Sequence, residues 1–395
     1  MPKQSGARPI RKGRAALDCF APLAMTTRAV ARADALTKAA NKLPWGDSRH
    51  DPARLGGGTP PVYQKPFPDS EFGARAAGLR EGIGFLQRSL DCHQMMPHAV
   101  YGHPPVDLAE APHDAVQFSP LVVDSARIED IADATLDGAT VFAPAGTIER
   151  RYILAHVLRA LAPGARLIAL APKDRGGTRL GKELAGFGCP ASDQPRRHHR
   201  ICTATRPAGV TGLEAAIDEG GPRHIDNLAL CTQPGVFSWD RLDPGTALLM
   251  SRLPALKGKG ADLGSGLGLL GRAVLASAAV TEITLIDLDR RAIEMARRNV
   301  SDPRARIVWG DLRGKAIPSG LDFAVSNPPF HDGGAEDQAL GKSFIQRAAE
   351  ALRPGGALWL VANAHLPYEA TLRELFRSVT TVAQEGGYKV FEARK

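Results

Sequence analysis

Two stretches of this chain read alike. Leu136-Asp-Gly-Ala-Thr-Val-Phe-Ala-Pro144 leads through a helical pattern to Leu161-Ala-Pro-Gly-Ala-Arg-Leu167. Leu321-Asp-Phe-Ala-Val-Ser-Asn-Pro328 leads through another to Leu352-Arg-Pro-Gly-Gly-Ala-Leu358. Each is a buried strand, a helix, a Pro-Gly stop and a second strand, the unit of a parallel sheet. A repeated unit implies an internal duplication, and 395 residues are enough for two such domains plus extras. The expected fold class is therefore α/β, with two Rossmann-like domains, each a mostly parallel sheet with flanking helices. In the first copy the spacing predicts a helix over Ile128–Leu136 and a strand over Ala139–Ala143. A helix follows over Glu149–Leu161, then a strand over Arg166–Ala171.

The copies differ where chemistry would sit. The first reads Ala143-Pro144-Ala145-Gly146 where the second reads Asn327-Pro328-Pro329-Phe330. An amide, a rigid carbonyl and a ring at a strand's carboxyl end suit a planar amine, because open α/β sheets bind ligands at that edge. Only the second copy has a glycine-rich turn upstream, Asp262-Leu-Gly264-Ser265-Gly266-Leu-Gly268. Glycines permit a tight turn and close backbone approach to a ligand. Asp262 just before them, and a spacing unlike that of dehydrogenases, point to S-adenosylmethionine. Asp287 ends the next strand, where a carboxylate can accept both ribose hydroxyls. Asp289 competes for that role, or caps the helix over Arg290–Val300. Asp311 ends a third strand and is the candidate acceptor for the adenine amine, or a turn residue. A closing β-hairpin is expected around Glu385-Gly-Gly387.

The expected domains are residues 1–95, a disordered basic extension; 96–207, the degenerate copy, for RNA recognition or support; 208–232, a linker; and 233–395, the catalytic domain. The extension holds at most a helix near residues 26–42, and Met95 or Met96 is an alternative start. Asp18 and Pro22 interrupt its apolar patch and argue against secretion. The net charge of +8 favours a polyanionic partner. The five scattered cysteines form no Cys-x-x-Cys pair, as in a reducing cytoplasm. No run is long enough to span a membrane. Cys189, His198, His199 and Cys202 fit no standard zinc spacing, so no metal is expected. Arg196, Arg197 and Arg200 are candidate phosphate contacts or a solvated strand edge.

Gln233-Pro-Gly-Val-Phe237 through Thr246-Ala-Leu-Leu249, the turn Asp262–Gly268, Ser326-Asn-Pro-Pro-Phe-His-Asp-Gly333 and Val361-Ala-Asn-Ala-His-Leu-Pro-Tyr368 together resemble the small-subunit rRNA guanine-N2 methyltransferases. These are class I S-adenosylmethionine-dependent enzymes with the "methyltransferase small" domain. The resemblance runs from about Ala99 to the C-terminus. It implies two methyltransferase-type domains, the N-terminal one degenerate. It also implies Asn327, Pro328, Pro329 and Phe330 at the target base, with Asn327 touching the donor as well, and Phe237 and Thr246 in a segment over the donor. The expected partner is ribosomal RNA or the small subunit, met in the cytoplasm by a monomer. An adenine-N6 or glutamine methyltransferase with the same tetrapeptide is one alternative. A non-catalytic RNA-binding assembly factor is the other.

Overall fold

A computed structural model describes residues 97–395, apart from 315, 316, 330, 333, 334 and 337. The basic extension, its expected helix near residues 26–42, the alternative starts and Phe330 lie outside the described residues.

The first lobe holds strands β1 (His98–Tyr101), β2 (Val116–Gln117), β3 (Leu136–Phe142), β4 (Leu161–Pro172), β5 (Ser192–Arg196) and β6 (His199–Thr205). They form one sheet in the order β2-β1-β3-β4-β6-β5, with β6 the reversed strand. Helix α1 (Thr147–Ala160) crosses from β3 to β4, and α2 (Thr178–Gly186) follows β4. Ala139, Val141, Leu167, Ala169 and Leu170 are buried in the middle strands, as expected of a sheet covered on both faces. Ile153, Leu154, Val157 and Leu158 supply the buried stripe of α1. The expected helix over Ile128–Leu136 is reduced to one 3-10 turn, Ile128–Asp130. Ala134 adopts φ 55, outside helical space, and Leu136 already belongs to β3. Ile128 sits in the core as a loop anchor instead.

Residues 208–232 carry α3 (Leu213–Gly220) and a hairpin of β7 (Arg223–Ile225) with β8 (Leu230–Thr232). Gly220 lies on the Tyr152 ring of α1, so close that a Cβ would stand 2.3 Å from Tyr152 Cβ.

The second lobe begins with α4 (Pro244–Arg252). It continues through β9 (Gly258–Leu263), α5 (Leu269–Leu275), β10 (Val280–Asp287), α6 (Arg290–Asn299), β11 (Ala305–Trp309) and β12 (Leu321–Ser326). A short hairpin of β13 (His331–Asp332) and β14 (Ala335–Glu336) precedes α7 (Gln338–Ala351), β15 (Leu352–Asn363), α8 (Tyr368–Leu375), β16 (Ser378–Glu385) and β17 (Tyr388–Arg394). The sheet order is β11-β10-β9-β12-β15-β17-β16. Without β11, it matches the first sheet strand for strand.

The duplication extends to register. In the first lobe Leu136 pairs with Leu161 and, past an irregularity, Gly138 with Arg166. In the second Leu321 pairs with Leu352 and, past the same irregularity, Phe323 with Ala357. This register corrects the sequence alignment by one residue. Phe142-Ala143-Pro144, rather than Ala143-Pro144-Ala145, occupies the place of Asn327-Pro328-Pro329. Strand pairing fixes that frame, whereas the shared proline suggests the other.

The lobes meet at the start of α6. The Arg290 backbone N–H donates to Pro120 O at 3.0 Å, and its guanidinium donates to Ala126 O at 3.1 Å. Arg291 donates to Glu149 Oε1 of α1 at 2.6 Å. Arg127 pairs with Glu294. Arg290 and Arg291 are buried by these contacts. Among the described residues, no helix is long and apolar enough to cross a membrane.

Candidate active site

The carboxyl ends of β9, β10 and β12 converge on a cleft. After β9 the chain turns through Gly264 and Gly266, at φ 74 and 51, before Gly268 at φ 83 caps α5. Asp262 lies beneath this turn, fully buried. Its Oδ2 accepts the Gly271 N–H at 2.9 Å, while Oδ1 has no partner among the described residues. Burial raises its carboxyl to about 7, with a further push from the Asp287 charge. The Ser265 Oγ is likewise buried with no partner among the described residues.

Asp287 ties this turn to the next. Its Oδ2 accepts the Gly266 N–H at 2.7 Å and its Oδ1 the Asp289 N–H at 2.8 Å. Burial raises its carboxyl to about 6, against the pull of those two N–H groups. Asp289 is the helix cap, accepting the Arg291 N–H at 2.9 Å. It also receives the Arg291 guanidinium on both oxygens, at 3.0 and 2.8 Å. An unbroken chain of polar contacts thus runs from Glu149 of the first lobe through Arg291, Asp289 and Asp287 to Gly266. Gly235, at φ 99, rests on this joint, because a Cβ there would stand 2.6 Å from Glu149 Cδ and 2.7 Å from Arg291 Nη1. Glu149→Gln should therefore lower stability by about 1–3 kcal/mol through the weakened buried pair. It should also loosen the Gly266 turn. Denaturant midpoints, with ligand affinity measured on the folded variant, check both effects.

Asn327 follows β12. Its Nδ2 donates to Asp243 Oδ2 and to Thr246 Oγ1, both at 2.9 Å. Asp243 is the N-cap of α4, with Oδ2 also accepting the Thr246 N–H at 2.7 Å and Pro244 next in line. With its nitrogen held, the amide has one orientation. Oδ1 makes no hydrogen bond among the described residues and is the end left to accept one. Pro328 is buried and Pro329 exposed.

The cleft brings together Phe237, Ser238, Asp243, Thr246, Gly264, Ser265, Gly266 and Asn327. Phe237 stands at its mouth, 57% exposed. Gly268, Asp262 and Asp287 support it from behind. Asp311 is engaged elsewhere: it lies past the end of β11, and its oxygens accept the Arg313 N–H at 2.9 Å and the Arg313 Nη2 at 2.8 Å. That guanidinium holds its carboxyl below the usual carboxylate range. Sequence reasoning missed Asp243. Its signal was Asp-Pro-Gly-Thr, a helix cap read only as part of a longer segment.

In the first lobe the corresponding turn is closed. Phe142 replaces the amide, and Arg150 Nη1 donates to the carbonyls of Pro144 and Ala145 at 3.0 and 2.7 Å. Arg150 is fully buried and doubly bonded to Glu183, at 2.6 and 2.7 Å.

Residues 227–392 match the methyltransferase small domain. The ribosomal RNA small subunit methyltransferase C of Pseudomonas paraeruginosa is 35% identical over 269 residues, which are 65% of this chain and 79% of that protein. Its namesake from Salmonella arizonae is 32% identical over 315 residues, 78% of this chain and 88% of that one. Among solved structures, the T. thermophilus 16S rRNA N2 methyltransferase RsmC, in complex with AdoMet and guanosine, superposes with a TM-score of 0.62. It is 25% identical, and the match covers 82% of this chain and 94% of that one. With that breadth of likeness, across both lobes and the cleft alike, the chain belongs to the ribosomal RNA small subunit methyltransferase C family.

Proposed function

We propose that the protein methylates the exocyclic N2 of a guanine in small-subunit ribosomal RNA, using S-adenosylmethionine. The observation that carries this is the Asn327 amide. It is locked by its nitrogen, with its oxygen left to accept, beside a glycine turn shaped for a ligand. The relatives named above are methyltransferases of that RNA, and the T. thermophilus enzyme acts at guanine 1207.

The residues fit the donor. Asp262 Oδ1 and Ser265 Oγ are buried polar atoms that need partners. Gly264 and Gly266 hold left-handed φ, where a side chain strains the backbone, so the turn stays bare for close approach. Asp262 and Ser265 would take the polar end, Gly264, Gly266 and Gly268 the backbone face, and Asp287 the ribose hydroxyls. Asp311 would reach the adenine amine when its exposed pair with Arg313 opens, a small cost for a surface pair. Phe237 and Thr246 would lie over the donor, with Asn327 at its reacting end.

The donor supplies an electrophilic methyl group that needs little activation. The guanine amine is the weak partner, since its lone pair is delocalised into the ring. The Asn327 oxygen and the Pro328 carbonyl accept its two N–H groups, which draws the nitrogen towards tetrahedral geometry. Pro329 stiffens the turn, and Phe330 stacks on the base, a contact of about 1–3 kcal/mol. The rate then comes largely from holding the reacting atoms in line. The extra proton leaves to water after transfer.

Asp262 and Asp287 give the donor site a pH dependence. Their carboxyls are raised to about 7 and about 6, so each holds a proton below those values that it would lose when unfolded. Their contribution to the stability of the free protein is full below pH ~4 and lost as pH rises through ~6 to ~7. Donor binding has the opposite sign, because it needs the ionised acceptors. Thermal melts between about pH 5.5 and 8 should show the shift produced by S-adenosylmethionine growing with pH. A shift that shrinks would mean that these carboxyls do not meet the donor.

We also assign the protein to the cytoplasm, acting as a monomer. Its own first lobe already covers the α6 face, and sedimentation of the free protein tests the monomer. The function is tested by methylating naked rRNA and isolated subunits in vitro and mapping the modified base. N2-methylguanosine is the expected product. Label on adenine N6 or on protein would overturn the assignment, as would calorimetry showing no heat with S-adenosylmethionine.

A further inference from the structure

The duplication isolates one feature that lies outside the methyl-transfer site. In the second lobe, β16 and β17 join through Gly386 and Gly387, at φ 59 and 85. That backbone is the glycine-favoured two-residue hairpin turn. At the equivalent place between β5 and β6 the first lobe has Arg197 and His198, at φ 45 and 61. The correspondence is fixed by register, since His199 pairs with Pro172 as Tyr388 pairs with Asn363. Two non-glycine residues thus hold left-handed backbone where glycine would be relaxed. They belong to the run Arg196-Arg197-His198-His199-Arg200.

This tip stands at the carboxyl edge of the first sheet. The Lys173 N–H donates to His198 O at 2.7 Å, which sets the Lys173–Arg175 loop beside it. Lys173, Arg196, Arg197 and His198 are exposed, and every residue of β5 is exposed. Three carboxylates are near in sequence or space. Asp193 takes Arg200 on two bonds, at 2.8 and 2.5 Å. Asp107 pairs with Arg197, which stays 67% exposed in its side chain, and Asp174 lies in the Lys173 loop. Lys173, Arg175 and Arg196 make no ion pair among the described residues.

We propose that this hairpin tip is a docking prong for the phosphate backbone of the RNA substrate. The inference rests on the RNA-methylating function above. Guanidinium forks match phosphate bidentately, and an ordered, cationic, uncovered turn offers several of them at once. Phosphate contacts position a nucleic acid without reading its sequence, a role open to a lobe that lacks the chemistry.

The test is the triple variant Arg196→Ala, Arg197→Gly and His198→Gly, which gives the first lobe the turn of the second. Relieved of left-handed side chains, it should melt at or above the wild-type temperature. It should bind S-adenosylmethionine unchanged and keep kcat at saturating RNA. Its KM for 16S rRNA or subunits should rise about tenfold, and the salt dependence of RNA binding between about 50 and 200 mM should become shallower. An unchanged KM and salt slope in this folded, donor-binding variant would overturn the inference and leave the function standing. If wild-type protein binds the donor but neither binds nor methylates RNA, the function fails, and this inference fails with it.

Discussion

Asn327→Ala lowers kcat by about 10²–10⁴-fold while S-adenosylmethionine binding by calorimetry stays within a few-fold, the outcome expected from the way this side chain is held. Its nitrogen is spent on Asp243 and Thr246. The oxygen is therefore the functional end, and alanine removes it without touching the glycine turn or Asp287. The amine then keeps only the Pro328 carbonyl and stays planar more of the time. Equal loss of donor binding and turnover would make Asn327 a structural residue. Asn327→Asp adds a second arm. It replaces an N–H donor 2.9 Å from Asp243 Oδ2 with an oxygen, so two carboxylates face each other unless one keeps a proton. Despite near-identical shape, it should be no better than alanine at neutral pH.

Asp243 carries the second large effect. Asp243→Ala removes the cap of α4 and the acceptor for Asn327 together. Stability should fall by about 1–2 kcal/mol from the cap, and kcat by about 10²-fold as the freed amide rotates away from its accepting pose. Asp243→Gly separates the two roles. Glycine replaces a helix cap at a cost of only a few tenths of a kcal/mol, so the melting temperature should barely move. It removes the oxygen that takes both the Thr246 N–H and the Asn327 Nδ2, so the amide is left on Thr246 Oγ1 alone and kcat should still fall about tenfold. If activity instead tracks stability across the two variants, Asp243 only supports the helix. A split in which kcat falls and KM for RNA holds assigns it the positioning role.

The readable parts of the sequence were those where one residue type has one physical use. The glycine turn, the strand ending in Asn327 and the closing hairpin are local and self-explanatory. The repeat was legible too, though its frame was off by a residue, because only strand pairing distinguishes Phe142 from Ala143 as the partner of Asn327. What could not be read depends on contacts distant in sequence. Asp243 meets Asn327 84 residues away, and Glu149 meets Arg291 142 residues away. Ile128 to Leu136 has helical spacing, yet Ile128 is claimed by the core and Leu136 by a strand. Asp311 stands just past β11, where its spacing put it, and opening of one exposed ion pair would free it for the adenine amine. Arg313, two residues on, takes its oxygens.

The buried Arg150 makes the loss of chemistry in the first lobe hard to reverse. Restoring an amide at Phe142 would leave Arg150 still bonded to the carbonyls of that turn. Removing Arg150 as well would strand Glu183 as a buried, unpaired charge, at about 3–5 kcal/mol. Removing Glu183 first would strand Arg150. Removing either partner first therefore costs several kcal/mol of stability, so the pair acts as a ratchet. The interior of the first lobe is thereby committed to its present closed turn.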